Sequence, residues 1–272
     1  MEDKLHYSFS DRGILEKVFN DGFSAQESTL PEGGFDPESD WENSYDVIYT
    51  GPQDFTNESY IYYGSLRINT VFDKGGVIVK AAGIRQLEQN FNRERQHLHV
   101  RAECNRDRLF SLKDGSEWTL EAELKNQLDP AAAGFKKIKE TGRLGRGRIQ
   151  KKNAKGKWQT YAQTDPAIPV VSDWSLLAAV QLMPRSGEYS FNYFPQLERF
   201  HTGHSIRFLE IFQARFGGRE VTLHGYAQSG EGITPFYYWV DDHGRLLIAR
   251  FALSAFVYNS NPCVERQAQN DK

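Results

Sequence analysis

Between Thr234 and Tyr258 two apolar, aromatic-rich runs, Phe236 to Val240 and Leu246 to Leu253, are joined by Asp241-Asp242-His243-Gly244. That pattern predicts a β-hairpin. Asp supports the first bend of a type I turn, and Gly244 can take the positive φ needed where the chain re-enters the second strand as a bulge. Phe236, Tyr238 and Val240 alternate with Tyr237 and Trp239, so both faces are apolar. One set is expected to pack inside a barrel and the other beneath a helix or an N-terminal arm.

The same grammar runs upstream. From Asp46 onward, segments rich in Val, Ile, Tyr, Phe and Trp alternate with turn clusters such as Asp73-Lys74-Gly75-Gly76, Lys113-Asp114-Gly115 and Lys155-Gly156. About eleven strands can be marked, among them Ser59 to Phe72, Gly76 to Leu87, Arg95 to Cys104, Arg108 to Leu112 and Gly142 to Gln150. So many strands strain a flat sheet, which predicts an all-β fold: a large antiparallel barrel or strongly curved half-barrel with one or two short helices. One helix is expected where Ser172-Asp173-Trp174-Ser175 precedes Leu176 to Met183, with Pro184 ending it. A second is expected near Ile14, Leu15, Val18 and Phe19, between Asp11 and Asp21-Gly22. The organisation reads as an acidic N-terminal arm over 1–44, a single barrel-like domain over 45–262 and a polar tail over 263–272.

Residues 1–45 hold eleven acids against three Lys/Arg, while Lys136 to Lys157 holds ten Lys/Arg against Glu140 alone. The net charge of -3 hides this asymmetry and gives no reason to expect a nucleic-acid partner. No run reaches the ~20 apolar residues of a membrane span, so no transmembrane segment is expected. Met1-Glu2-Asp3-Lys4 lacks a signal-peptide pattern, which fits a cytoplasmic protein and equally a periplasmic or secreted one whose signal peptide has been replaced. Cys104 and Cys263 are the only cysteines; they allow one bridge or two unpaired thiols, with no metal or redox spacing.

Three blocks carry a resemblance to a family type. They are Tyr62-Tyr63-Gly64-Ser65-Leu66, Ser172-Asp173-Trp174-Ser175-Leu176-Leu177, and Tyr238-Trp239-Val240-Asp241-Asp242-His243-Gly244-Arg245-Leu246-Leu247. Together the chain resembles the uncharacterised bacterial β-barrel families of the DUF3108 and DUF6134 type. The resemblance implies an exported, barrel-like protein whose interior takes a ligand, and it supplies no catalytic residues. The acidic arm and the basic segment depart from that pattern.

Local constellations offer candidate chemistry. In a strand, His97, His99, Arg101 and Glu103 share one face while Leu98, Val100, Ala102 and Cys104 share the other. Two imidazoles at this spacing can hold a divalent metal if His201, His204 or His224 adds a ligand; the alternatives are an acid-base pocket or simply a polar outer face. No cofactor is expected, and the metal is the less favoured reading. Arg143, Arg146 and Arg148 can fork onto carboxylates or sulfates of an acidic saccharide, or form a solvated hairpin tip. Aromatic density, including Tyr62, Tyr193, Tyr238 and Trp239, either fills a core or lines a cavity. No G-x-S-x-G elbow, H-E-x-x-H helix, P-loop or Rossmann fingerprint is present.

Two functions follow. The first is an uncharacterised barrel binding a small apolar or amphipathic ligand in its interior, with Tyr62, Tyr193, Trp239 and Arg146 as ligand-binding candidates. The second is a lyase or hydrolase acting on a carbohydrate or small carbonyl compound, with His97, His99, Arg101 and Tyr238 as acid-base residues. The first predicts a cavity lined by Phe and Tyr with His97 and His99 facing solvent. The second predicts those histidines in one cleft with a third from His201, His204 or His224. A third reading, a scaffold or envelope role, would use the acidic arm and basic hairpin as surfaces.

Overall fold

The computed structural model describes residues 30, 34–49, 61–87, 94–126, 137–251 and 254–260. Alternating apolar positions there form one sheet of fifteen strands: β1 (Trp41–Tyr49), β2 (Ile61–Asp73), β3 (Gly76–Leu87), β4 (Glu94–Cys104), β5 (Glu117–Asn126), β6 (Lys137–Gly145), β7 (Arg148–Lys152), β8 (Trp158–Gln163), β9 (Val170–Val171), β10 (Glu188–Tyr193), β11 (His201–Phe216), β12 (Arg219–Ser229), β13 (Phe236–Asp241), β14 (Leu246–Phe251) and β15 (Ser254–Tyr258). The order runs from β8 down to β1, then from β15 down to β9. The first and last strands therefore pair at the centre, Tyr45 opposite Tyr258, and the middle of the chain supplies both edges. All neighbours are antiparallel except the short pair β9 and β10.

The Phe236 to Leu253 region is the expected hairpin, with Gly244 at φ 86°. The second strand of the hairpin is described to Phe251, and Ser254 to Tyr258 pairs antiparallel with it as a further strand. Gly142 to Gln150 is not continuous: Arg146 (φ 52°) and Gly147 (φ 70°) make a two-residue turn between β6 and β7, with Gly145 opposite Arg148. Two successive positive φ values are what a type I′ hairpin requires. Arg108 to Leu112 is a loop in which Phe110 takes φ 48° and only Leu112 bridges to Cys104. The first strand starts at Trp41 rather than Tyr45, because Trp41 and Asn43 already alternate inward and are buried. The helix expected near Ile14 and the tail after residue 262 lie outside the described residues.

Residues directly opposite across an antiparallel pair share a face, so the register assigns the interior. Tyr45, Leu66, Gly83 and Leu98 are in line, as are Asn43, Ile68, Ala81, Val100 and Leu120. This face is the buried one. It receives α1 (Asp173–Ala179) and a following 3-10 turn, Val180–Leu182. Ser172 caps α1 reciprocally with Ser175, and Trp174 to Ala179 are all buried. A helix apolar on every side needs enclosure, and the sheet provides it.

The edges β8 and β9 share no ladder, so the sheet stays open in hydrogen-bond terms. Side chains bridge the seam instead. Trp118 packs edge-on against Phe194 at 5.9 Å, Tyr161 lies 6.0 Å from the same ring, and the Tyr161 hydroxyl donates to the Glu198 carbonyl. The Lys151 ammonium stands over Trp118, Tyr161 and Phe194 at 5.6, 4.7 and 5.7 Å while pairing with Glu140 at 2.7 Å. Leu112 N–H donates to the Val170 carbonyl at 2.8 Å, tying the 105–116 loop to β9.

Candidate functional site

The two ends of the barrel are finished differently. At the end carrying the β13 to β14 turn, Phe35 packs on Trp41 at 5.7 Å, and the Arg245 guanidinium lies over Phe35 and Tyr258 at 4.9 and 5.4 Å. Asn43 Nδ2 and Leu246 N–H both donate to Gln181 Oε1 at 3.0 Å, tying β1 and β14 to the turn that follows α1. At the opposite end the interior is hollow. A cavity of about 300 Å³ lies between the inward residues Val47, Leu66 and Leu98 on one wall and Phe236, Phe251 and Phe256 on the other. Trp174 and Asp173 at the start of α1 form its floor with Tyr193. Gly83 contributes to the hollow because a Cβ there would meet nothing closer than 3.5 Å.

The aromatic wall is self-supporting. Phe236 and Phe251 meet edge-on at 4.7 Å, and Phe251 lies 5.1 Å from Phe256. Beneath it runs a polar layer: the Tyr238 hydroxyl donates to Gln228 Oε1 at 2.7 Å, and the Tyr193 ring lies 5.1 Å from His204. Burial pushes the Tyr193 and Tyr238 phenols well above their usual range, with Asp173 adding to the rise. Asp173 is half-buried at the cavity floor. Burial lifts it to about 7, opposed by the Gln196 N–H that donates to Oδ1 at 2.9 Å. Burial likewise lowers His204 to about 4, against the hydrogen bond between Nε2 and the Glu231 carbonyl at 3.2 Å.

The sequence-derived candidates fall in several places. Tyr193 lines the cavity floor; Tyr238 is not among the lining residues and lies in the buried layer near Tyr193, bonded to Gln228. Trp239 is fully buried, but it points to the opposite side of β13 from Tyr238, in line with Ile248 and Val257. Tyr62 lies on β2 opposite Ile48, its side chain outside the described part. Arg146 sits exposed at a hairpin tip, its backbone N–H bonded to Asp114 Oδ1 at 3.1 Å.

His97, His99, Arg101 and Glu103 lie on the outer face of β4, opposite Glu123, Glu121 and Thr119 of β5 for the first three. His99 and Arg101 line a shallow groove of about 480 Å³ with Glu42, Arg67, Lys80 and Glu121. Its charges are largely paired already: Arg67 with Glu42 at 3.4 Å, Arg101 with Glu103 at 3.0 Å and Lys139 with Glu121 at 2.5 Å. His201 and His204 are on β11 and His224 on β12, six intervening strands from β4 along the β12 side of the sheet. The structure does not gather these histidines into one cleft. His224 instead pairs through Nε2 with Asp242 at 2.8 Å, which holds that carboxyl below its usual range. Among the described residues no group of three or more His, Cys, Asp or Glu is placed to hold a metal ion.

Asp173 and Gln228 are the residues that local reading overlooked as a site. Asp173 had a local signal, but as a helix-start residue rather than as a cavity group. Cys104 is buried, its thiol pushed up by burial, and any pairing with Cys263 falls outside the described residues.

The sequence matches no family model and no curated protein. Among solved structures, the chain is similar to a β-barrel-like protein of domain of unknown function DUF1849 from Brucella abortus. The TM-score is 0.50 at 9% identity, covering 81% of this chain and 95% of that one. At that identity the likeness shows the fold, an all-β barrel-like architecture. It concerns DUF1849, and so has no bearing on the resemblance to DUF3108 and DUF6134. No helix among the described residues is long and apolar enough to cross a membrane.

Proposed function

We propose that this protein binds a small apolar or amphipathic molecule inside the barrel. The observation that carries the reading is the aromatic-walled hollow at one end of the interior, bounded by Phe236, Phe251 and Phe256 with Asp173, Trp174 and Tyr193 at its floor. Protein interiors otherwise pack to crystal density, so a recess of about 300 Å³ reaching between the inward faces of the sheet is space that a ligand can occupy. Its apolar walls with a few convergent polar groups match the general character of small-molecule sites. The outer groove beside β4 is less suited, because most of its charges are already engaged in surface ion pairs.

The test uses the cavity's own geometry. A leucine at Gly83 has room for its Cβ and would extend into the space between Leu66 and Leu98. The neutral apolar fluorophore N-phenyl-1-naphthylamine is expected to bind the parent chain with a blue shift. Gly83→Leu should lose that binding while melting at the same temperature or higher, as a filled cavity does. Equal binding to both chains would place the probe elsewhere and remove the cavity from consideration.

A further inference from the structure

Resting on that reading, we infer that the cavity selects a ligand carrying a positive charge, an amine or ammonium on a short apolar body, with Asp173 as its counter-ion. Asp173 is the one charged side chain among the described residues that line the space. Its carboxyl is set by the start of α1 and by the Gln196 N–H on Oδ1. Among the described residues no Lys or Arg pairs with it. A half-buried carboxylate set beside aromatic side chains, with backbone N–H donors but no cation, is stabilised when a bound cation pairs with it.

The surroundings favour the same sign of charge. Trp174, Tyr193, Phe236, Phe251 and Phe256 line the space. Aromatic ring faces carry negative potential and attract ammonium groups, most strongly when water is excluded. An anionic ligand would meet both the carboxylate and these ring faces. A neutral one would leave Asp173 as it is in the empty cavity. The polar side chains beside it, Gln96, Gln196 and Ser254, are uncharged and do not offset the preference.

Hexylammonium, hexan-1-ol and hexanoate share one apolar body and differ in charge, and calorimetric titration of the full chain at about pH 8 keeps Asp173 mostly ionised. The amine is expected to bind about tenfold tighter than the alcohol, and hexanoate weakest, the gap of one charge-assisted contact. Asp173→Asn retains an oxygen acceptor for the Gln196 N–H and should bring the amine and alcohol to similar affinity. If the parent chain binds the alcohol as well as the amine, or if Asp173→Asn keeps the amine preference, the charge selection is wrong and cavity binding stands. If none of the three binds the parent chain, both the selection and the cavity reading fail. Gly83→Leu should remove binding of all three; retained amine binding there would show that the amine sits outside the cavity and would overturn the inference.

Discussion

Asp173 and His204 both neighbour Tyr193, and burial pushes the two in opposite directions. The carboxyl rises from 3.8 to about 7, so the folded chain keeps a proton that the unfolded chain releases. This contribution is fully present below the ordinary carboxylate pKa and is lost as pH rises towards 7. The imidazole falls from 6.5 to about 4, so the folded chain refuses a proton that the unfolded chain accepts. That contribution is present above 6.5 and is lost as pH falls towards 4. The two slopes oppose each other across most of the same window. In Asp173→Asn the His204 slope should remain, with urea stability rising with pH across it. In His204→Asn the Asp173 slope should remain, with stability falling as pH rises. Slopes of the same sign in the two variants would contradict this pairing. Neither shift is legible in the sequence, because both arise from enclosure by strands and loops distant along the chain.

At the scale of elements, strand pattern and turn chemistry were largely legible. Alternation placed Leu98, Val100, Ala102 and Cys104 on one face of β4 and His97 to Glu103 on the other. Local apolar runs were less reliable where backbone geometry interrupts them, as at Arg146-Gly147, whose successive positive φ values turn one expected strand into two. Gly142 shows why the β6 to β5 pairing has its particular shape. The Trp118 indole lies flat across it, and a Cβ there would come within 1.9 Å of the ring. Gly142→Ala should therefore displace Trp118 from Phe194 and Lys151, at the seam between the sheet's two edges. Forced overpacking of this kind costs roughly 1–3 kcal/mol. Chemical denaturation with indole fluorescence should record it, and an unchanged midpoint would show that Trp118 can shift freely.

At the scale of the molecule, the sheet is joined at its middle by the chain's most distant parts. β15 completes β1, and Asn259 Nδ2 donates to Asp46 Oδ2 at 2.7 Å, 213 residues away. Contacts this non-local predict slow folding and strong dependence on the C-terminal strand. A chain ending at Phe251 would leave β1 and β14 without the strand between them. It is expected to lose cooperative thermal unfolding altogether; a sharp transition near the parent temperature would show that the halves stand without β15. Alternation, turn residues and caps act over a few neighbours, so they were enough to specify the all-β class, the strand faces of β4, the final hairpin and the capped helix at Ser172. Long-range packing sets the rest: that β1 meets β15, that the β8 and β9 edges meet through aromatic rings and Lys151 rather than a ladder, and that Trp239 turns away from the cavity. It also places one carboxyl, Asp173, among aromatic side chains at the hollow end. Those outcomes depend on curvature and on which faces enclose which groups, and both are set by contacts between residues far apart in the chain.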